Sequence, residues 1–113
     1  MNEDEKKELR DEFRRCVNLA PRELEAWLES EESRSVGYVR EGEEEAVGHR
    51  SGRRIVEIRR KKQAELDEAD YAHMRKVIGY VHRHSKQRPS GDVEDTRWRH
   101  SLMNWGHDPL KET

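Results

Sequence analysis

The chain has 113 residues, of which 31% are hydrophobic and 42% charged, with a net charge of -2. That length leaves room for one domain and that apolar share for only a small core, and no apolar run is long enough for a membrane span or a signal-peptide core. The single cysteine, Cys16, excludes an intramolecular disulfide and a cysteine-rich zinc finger.

The charge is unevenly spread. Residues 1–47 carry 15 acids and 8 bases, a net of -7, whereas residues 48–113 carry 10 acids and 15 bases, a net of +5, together with all six histidines. A basic half suggests an anionic partner, and an acidic half limits non-specific binding.

The first element is a helix over 2–17, with Leu9, Phe13, Cys16 and Val17 at helical spacing and a frayed start at 1–5. Pro21 suits the first turn of a second helix, where its missing N–H costs nothing, and Glu23 and Glu25 favour that positive end. Leu24, Trp27 and Leu28 form its apolar stripe. Residues 30–48 break the pattern with scattered Ser and Gly and the run Glu43, Glu44, Glu45, which predicts a long acidic loop. Within it, Val36, Tyr38 and Val39 are candidates to pin the middle to the core.

The densest basic stretch follows. Seven of the fourteen residues 49–62 are Arg or Lys, and Glu57 is the one acid. Ser51 and Gly52 read as a helix start, which predicts a helix over roughly 52–64 with Ile55, Val56 and Ile58 facing the core. Leu66 to Tyr71 is the clearest start signal in the chain: Asp67 caps, Asp70 takes the capping-box place, and Leu66 and Tyr71 form a hydrophobic staple. This fourth helix runs to about Lys86 on the stripe Tyr71, Met74, Val77, Ile78 and Val81, with Gly79 placed for a close helix crossing. Pro89 and Gly91 end it. A last helix over 94–104 carries Trp98, Leu102 and Trp105, and Gly106 and Pro109 stop it. The fold class is therefore all-α: a single small domain of four to five helices with one long acidic loop, and a tail over 108–113.

The candidate site residues are bases that would contact phosphate: Arg50, Arg53, Arg54, Arg59, Arg60, Lys61 and Lys62 on the basic helix, and Arg75, Lys76, Arg83 and Lys86 on the fourth, where no acid intervenes between Asp70 and Asp92. Ser51 and Gly52 join them, because a helix start offers free N–H groups to an anion. The competing reading is a solvated face paired with the nearby glutamates. No metal site is expected: His82 and His84 point to opposite sides of a helix, and the other histidines are dispersed. Trp27, Trp98 and Trp105 read as core, and Cys16 as a small buried hydrophobe. No catalytic motif or tuned carboxylate pair occurs, so neither an enzyme nor a cofactor is expected.

Stretches 20–28, 31–37, 48–56, 70–84 and 92–109 resemble a family of small uncharacterised proteins, mostly bacterial and also fungal, whose members often carry a DNA-binding label. A second resemblance is to the SAP motif, a DNA-binding helix, extended loop and helix. Leu24, Trp27 and Leu28, then Ser35, Val36 and Gly37, then 51–58 follow that order, with a loop lengthened by 41–45. The SAP resemblance implies that the loop and the start of the basic helix face the DNA backbone. The leading expectation is a cytoplasmic, non-catalytic DNA-binding accessory protein of low sequence specificity. The alternative is a protein-interaction or self-associating module, of a stress-related kind, whose basic face docks an acidic partner.

Overall fold

Helical periodicity and end signals are realised along most of the chain. The structure, a computed structural model, describes residues 1–37, 39, 41–43 and 45–111. Its elements are α1 (Glu3–Cys16), α2 (Pro21–Leu28), α3 (Glu31–Arg34), α4 (Val47–Arg60), a 3-10 turn (Gln63–Glu65), α5 (Glu68–Ser85) and α6 (Arg97–Asn104). There is no strand among the described residues, so the all-α reading holds.

The local chemistry explains most of the boundaries. Asn2 caps α1 by accepting from the Glu5 N–H at 2.8 Å. Pro21 opens α2, and Glu23 reaches back to the Ala20 N–H at 2.9 Å. Asp67 and Asp70 form the expected capping box at α5, with bonds of 2.9 and 3.1 Å. At the end of α6 the Gly106 N–H donates to Met103 O and the His107 N–H to Leu102 O, with Gly106 at φ 81°, which is the Schellman pattern that glycine permits.

Three elements differ from the sequence reading, the last helix by its start at Arg97 instead of 94. Ser30 caps a short helix, α3, inside the stretch read as loop; its hydroxyl accepts from the Ser33 N–H at 3.2 Å. The basic helix begins at Val47 instead of Gly52 and ends at Arg60. Its start has no capping side chain, because the N-cap is Ala46. Packing extends it: Gly48, His49 and Gly52 are buried against α2 and the end of α6, and Ser51 against His73 of α5.

The core runs through the middle of the bundle. α1 lies along α5, and α2 lies along α4. Phe13, Val17, Leu24, Ile55, Met74 and Val77 are at most 2% exposed. Each such side chain contributes about 1.5–3 kcal/mol of burial. Val93, Trp98 and Leu102 form a smaller cluster under Tyr80. Trp98, Trp105 and Cys16 are buried as expected, and Trp27 is half-buried against the core. Val36 is buried and pins the loop, but Val39 is exposed, and Tyr38 lies outside the described residues.

Buried Asn104 ties α2, α3 and α6 together. Its Oδ1 accepts from Trp27 Nε1 at 2.8 Å and from Ser33 Oγ at 2.5 Å, and its Nδ2 donates to Ser33 O at 3.0 Å. The close helix approach is here and not at Gly79. A Cβ on Gly52 would stand 2.5 Å from Asn104 O and 2.7 Å from Leu28 Cδ2. A Cβ on Gly79 would meet only the guanidinium of Arg83, with Nη1 at 2.9 Å, a flexible end that can swing away.

The two glycines therefore respond in opposite directions to alanine. Gly79→Ala raises stability by up to about 1 kcal/mol, the helix-propensity difference, whereas Gly52→Ala lowers it and depresses the thermal midpoint. Paired thermal melts check this; a stabilising Gly52→Ala would remove the close crossing from the account.

Candidate nucleic-acid interface

α4 has one side in the core, and most of its bases meet a partner at the boundary. Arg50 lies 3.1 Å from Glu43 and 3.7 Å from Glu45. Arg53 also pairs with Glu45. His49, buried, bonds Glu45 through Nδ1 and meets Leu28 O through Nε2 at 2.7 Å. Burial by itself raises the Glu45 carboxyl, but the hydrogen bonds from His49 and Arg53 outweigh it and hold the group below its ordinary value. The acidic loop is thus folded down onto the start of the basic helix.

Further along, Arg54 donates to Asp70 at 2.7 Å and Lys61 donates to the other oxygen of Asp70, also at 2.7 Å. Arg59 is turned inward, its guanidinium donating to the carbonyls of Val17 at 3.2 Å and Leu19 at 3.3 Å, and burial lowers it from its ordinary value. Arg60 pairs with Glu25 on α2. Lys62 is exposed, just beyond the helix.

These contacts correct the reading of Ser51 to Arg54 as an anion-binding helix start. Ser51 and Gly52 lie in the second turn of α4, with their N–H groups already inside the helix, and both are buried. Ser51 Oγ instead lies 2.9 Å from His73 Nε2. Most bases of α4 are thus engaged within the chain.

The four candidate bases of α5 are placed differently. Arg75, Lys76, Arg83 and Lys86 are all exposed, and none forms an ion pair among the described residues. At 3.6 residues per turn they fall within an arc of about 100° and span about 16 Å of helix. Ala72 and Gly79 lie in the same arc, and the Arg83 guanidinium rests over Gly79. Exposed Arg88 continues the run, its guanidinium 5.4 Å from the Trp98 ring centroid. The absence of acids between Asp70 and Asp92 is what leaves this stripe positive.

Beside Lys76 the stripe opens into a cleft of about 280 Å³ between α4 and α5, lined by Val47, Arg50, Ser51, Arg54, His73, Lys76 and Trp105. No acid lines it. Burial, with the charges of Arg54 and Lys76, lowers the His73 imidazole from its ordinary value. The ring stacks on Trp105 at a centroid distance of 6.4 Å.

One grouping is invisible in the sequence. Glu12 and Cys16 on α1 meet His82 on α5, 66 positions beyond Cys16. Only the i,i+4 spacing of the first two was legible there. Burial, then the charge of Glu12, pushes the Cys16 thiol up to about 11, so it is not a ready nucleophile at neutral pH.

The model of a family described as protein of unknown function, DUF3140, matches residues 12–103. The chain belongs to DUF3140. That match covers all of the elements above except the first turns of α1 and the last residue of α6. No curated protein and no solved structure matches the chain. No helix of the described residues is long and apolar enough to cross a membrane.

The buried carboxylate of Asp70 generates a prediction in two parts. Burial by itself raises this carboxyl; the hydrogen bonds from Lys61 and the Asp67 N–H and the charge of Arg54 outweigh it and hold it below its ordinary value. A carboxyl depressed on folding stabilises fully above its unfolded value of about 3.9 and loses that contribution as pH falls through the folded value. Denaturant titrations from pH 5 to pH 2 are thus expected to show stability falling below about pH 4, with a shallower fall in Asp70→Asn. At neutral pH, Asp70→Ala costs about 3 kcal/mol, at the low end for a broken buried pair because Arg54 and Lys61 remain partly exposed. An acid slope equal in both proteins would refute the depressed carboxyl.

Proposed function

We propose that the chain is a non-catalytic DNA-binding accessory protein that contacts the phosphate backbone through the outer face of α5. The observation that carries this reading is the exposed stripe of Arg75, Lys76, Arg83 and Lys86, none of which is ion-paired with a described acid, with Glu5 and Glu68 flanking it at the Arg75 end, in a chain where most other candidate bases are paired. Four cations over about 16 Å suit the closely spaced phosphates of a duplex, and the cleft beside Lys76 has no acid in its lining. Side chains that reach phosphates carry little sequence information, so low specificity follows. The SAP-like reading receives less support, because the loop it would turn toward DNA places Glu43 and Glu45 on Arg50 and Arg53.

A polyanion fits this face better than a protein surface. Interface cores are enriched in aromatic and apolar groups, and the exposed large hydrophobic residues among the described ones, Met1, Val39 and Leu110, all lie outside α5. A phosphate-tracking surface needs no such anchor.

Salt-dependent binding to a duplex oligonucleotide tests the reading. Each phosphate contact steepens the fall of log affinity against log salt by about 0.9. The quadruple variant R75Q/K76Q/R83Q/K86Q is expected to flatten the slope by about 3.6, while Arg60→Gln leaves it nearly unchanged. No binding at low salt, or a slope unaltered in the quadruple variant, would overturn the proposal. Loss of self-association in the same variant without any DNA binding would favour the interaction-module alternative.

A further inference from the structure

The residues Glu12, Cys16 and His82 stand apart from the basic face and from every ion pair that holds α4. Glu12 and Cys16, one turn apart on α1, point at α5, and His82 on α5 answers them. Glu12 Oε1 is 3.0 Å from His82 Nε2, Cys16 Sγ is 3.7 Å from the same nitrogen, and Sγ is 4.0 Å from Oε1. These three atoms all lie within 4.8 Å of one another. We infer that Glu12, Cys16 and His82 form a transition-metal site of the zinc class that joins α1 to α5.

The geometry carries the inference. In a tetrahedral zinc site, bonds of about 2.3 Å to sulfur and about 2.0–2.2 Å to nitrogen and oxygen give ligand-to-ligand edges of about 3.3–3.6 Å. The three observed edges lie within about half an ångström of that range. The second oxygen of Glu12 is held by Arg15, which leaves Oε1 turned toward the other two ligands. An outer partner of this kind fixes a ligating carboxylate.

The chemistry of the donors selects the metal. A thiolate and an imidazole favour zinc and its neighbours over magnesium or calcium, which take oxygen ligands. Binding transfers no electrons. The Cys16 S–H bond breaks, its proton leaves to solvent, and sulfur donates to the metal. One carboxylate, one thiolate and a neutral imidazole then balance a divalent charge at a place where Cys16 itself is 6% exposed. His82 and Glu12 are partly exposed, so the fourth position faces solvent and takes water.

The site is separate from the proposed DNA-binding face, and each stands or falls by itself. Full-length protein freed of metal by a chelator and titrated with Co²⁺ provides the test. Expected is one equivalent per chain, with tetrahedral d–d absorption and a thiolate-to-cobalt charge-transfer band that Zn²⁺ abolishes. Since Cys16 is the single cysteine, that band reports this thiol alone and disappears in Cys16→Ser. His82→Gln alters a mostly exposed side chain and is expected to keep the helical circular dichroism of the metal-free protein while weakening Co²⁺ at least tenfold. Absence of the charge-transfer band, one metal per two chains, or equal affinity in His82→Gln would overturn the site.

Discussion

The fully buried carboxylate of Asp70 must be satisfied on every side, and it is the point on which the arrangement of α4 and α5 depends. One oxygen takes Arg54 from the middle of α4; the other takes Lys61 from its end and the Asp67 N–H from the cap of α5. A single side chain thereby caps one helix and fixes the two long helices of the second half against each other. An isolated charge at this depth would be unstable, so the two bases are bound to it as structural partners. The same contact decides which bases remain available for a ligand. By drawing in Arg54 and Lys61, it shifts the open positive surface from α4 to α5.

Glu45 plays the corresponding part at the other end of α4. It gathers His49, Arg50 and Arg53, and His49 in turn meets the last carbonyl of α2. The acidic loop is therefore a clamp on α2 and α4, and much of the charge of this chain is spent on joining elements that share little apolar surface. That is a workable solution for a chain with 31% hydrophobic residues. The burial of Leu24, Ile55 and Val77 supplies the main driving force, and ion pairs at the core boundary select the packing.

The candidate site follows from what this economy leaves over. The outer face of α5 has no acid of its own from 71 to 91, and its inner stripe is fully occupied with α1 and the core. Arg75, Lys76, Arg83 and Lys86 consequently point to water. On α1 the opposite holds: Glu12 is drawn toward His82 and Cys16, where a carboxylate, a thiol and an imidazole meet at the helix seam.

The sequence by itself determined the helices and most of their ends. Periodicity marked the apolar stripes, and Pro21, the Asp67–Asp70 box and Gly106 act within a few residues of where they sit, so their effect is local and readable. It also determined the basic character of α5, because an acid-free run stays basic in any fold. What it could not determine is which charges meet. Ser51 and Gly52 resemble a helix start, yet the packing of Gly48 and Gly52 against α6 carries the helix back to Val47 and buries them. Arg53, Arg54, Arg59, Arg60 and Lys61 resemble a phosphate-binding face, yet Glu45, Asp70, Glu25 and two carbonyls of the α1–α2 connection take them up. His82 resembles a dispersed histidine until α5 is laid along α1. Each of these outcomes depends on contacts between residues far apart in the chain, and only the tertiary structure sets those distances.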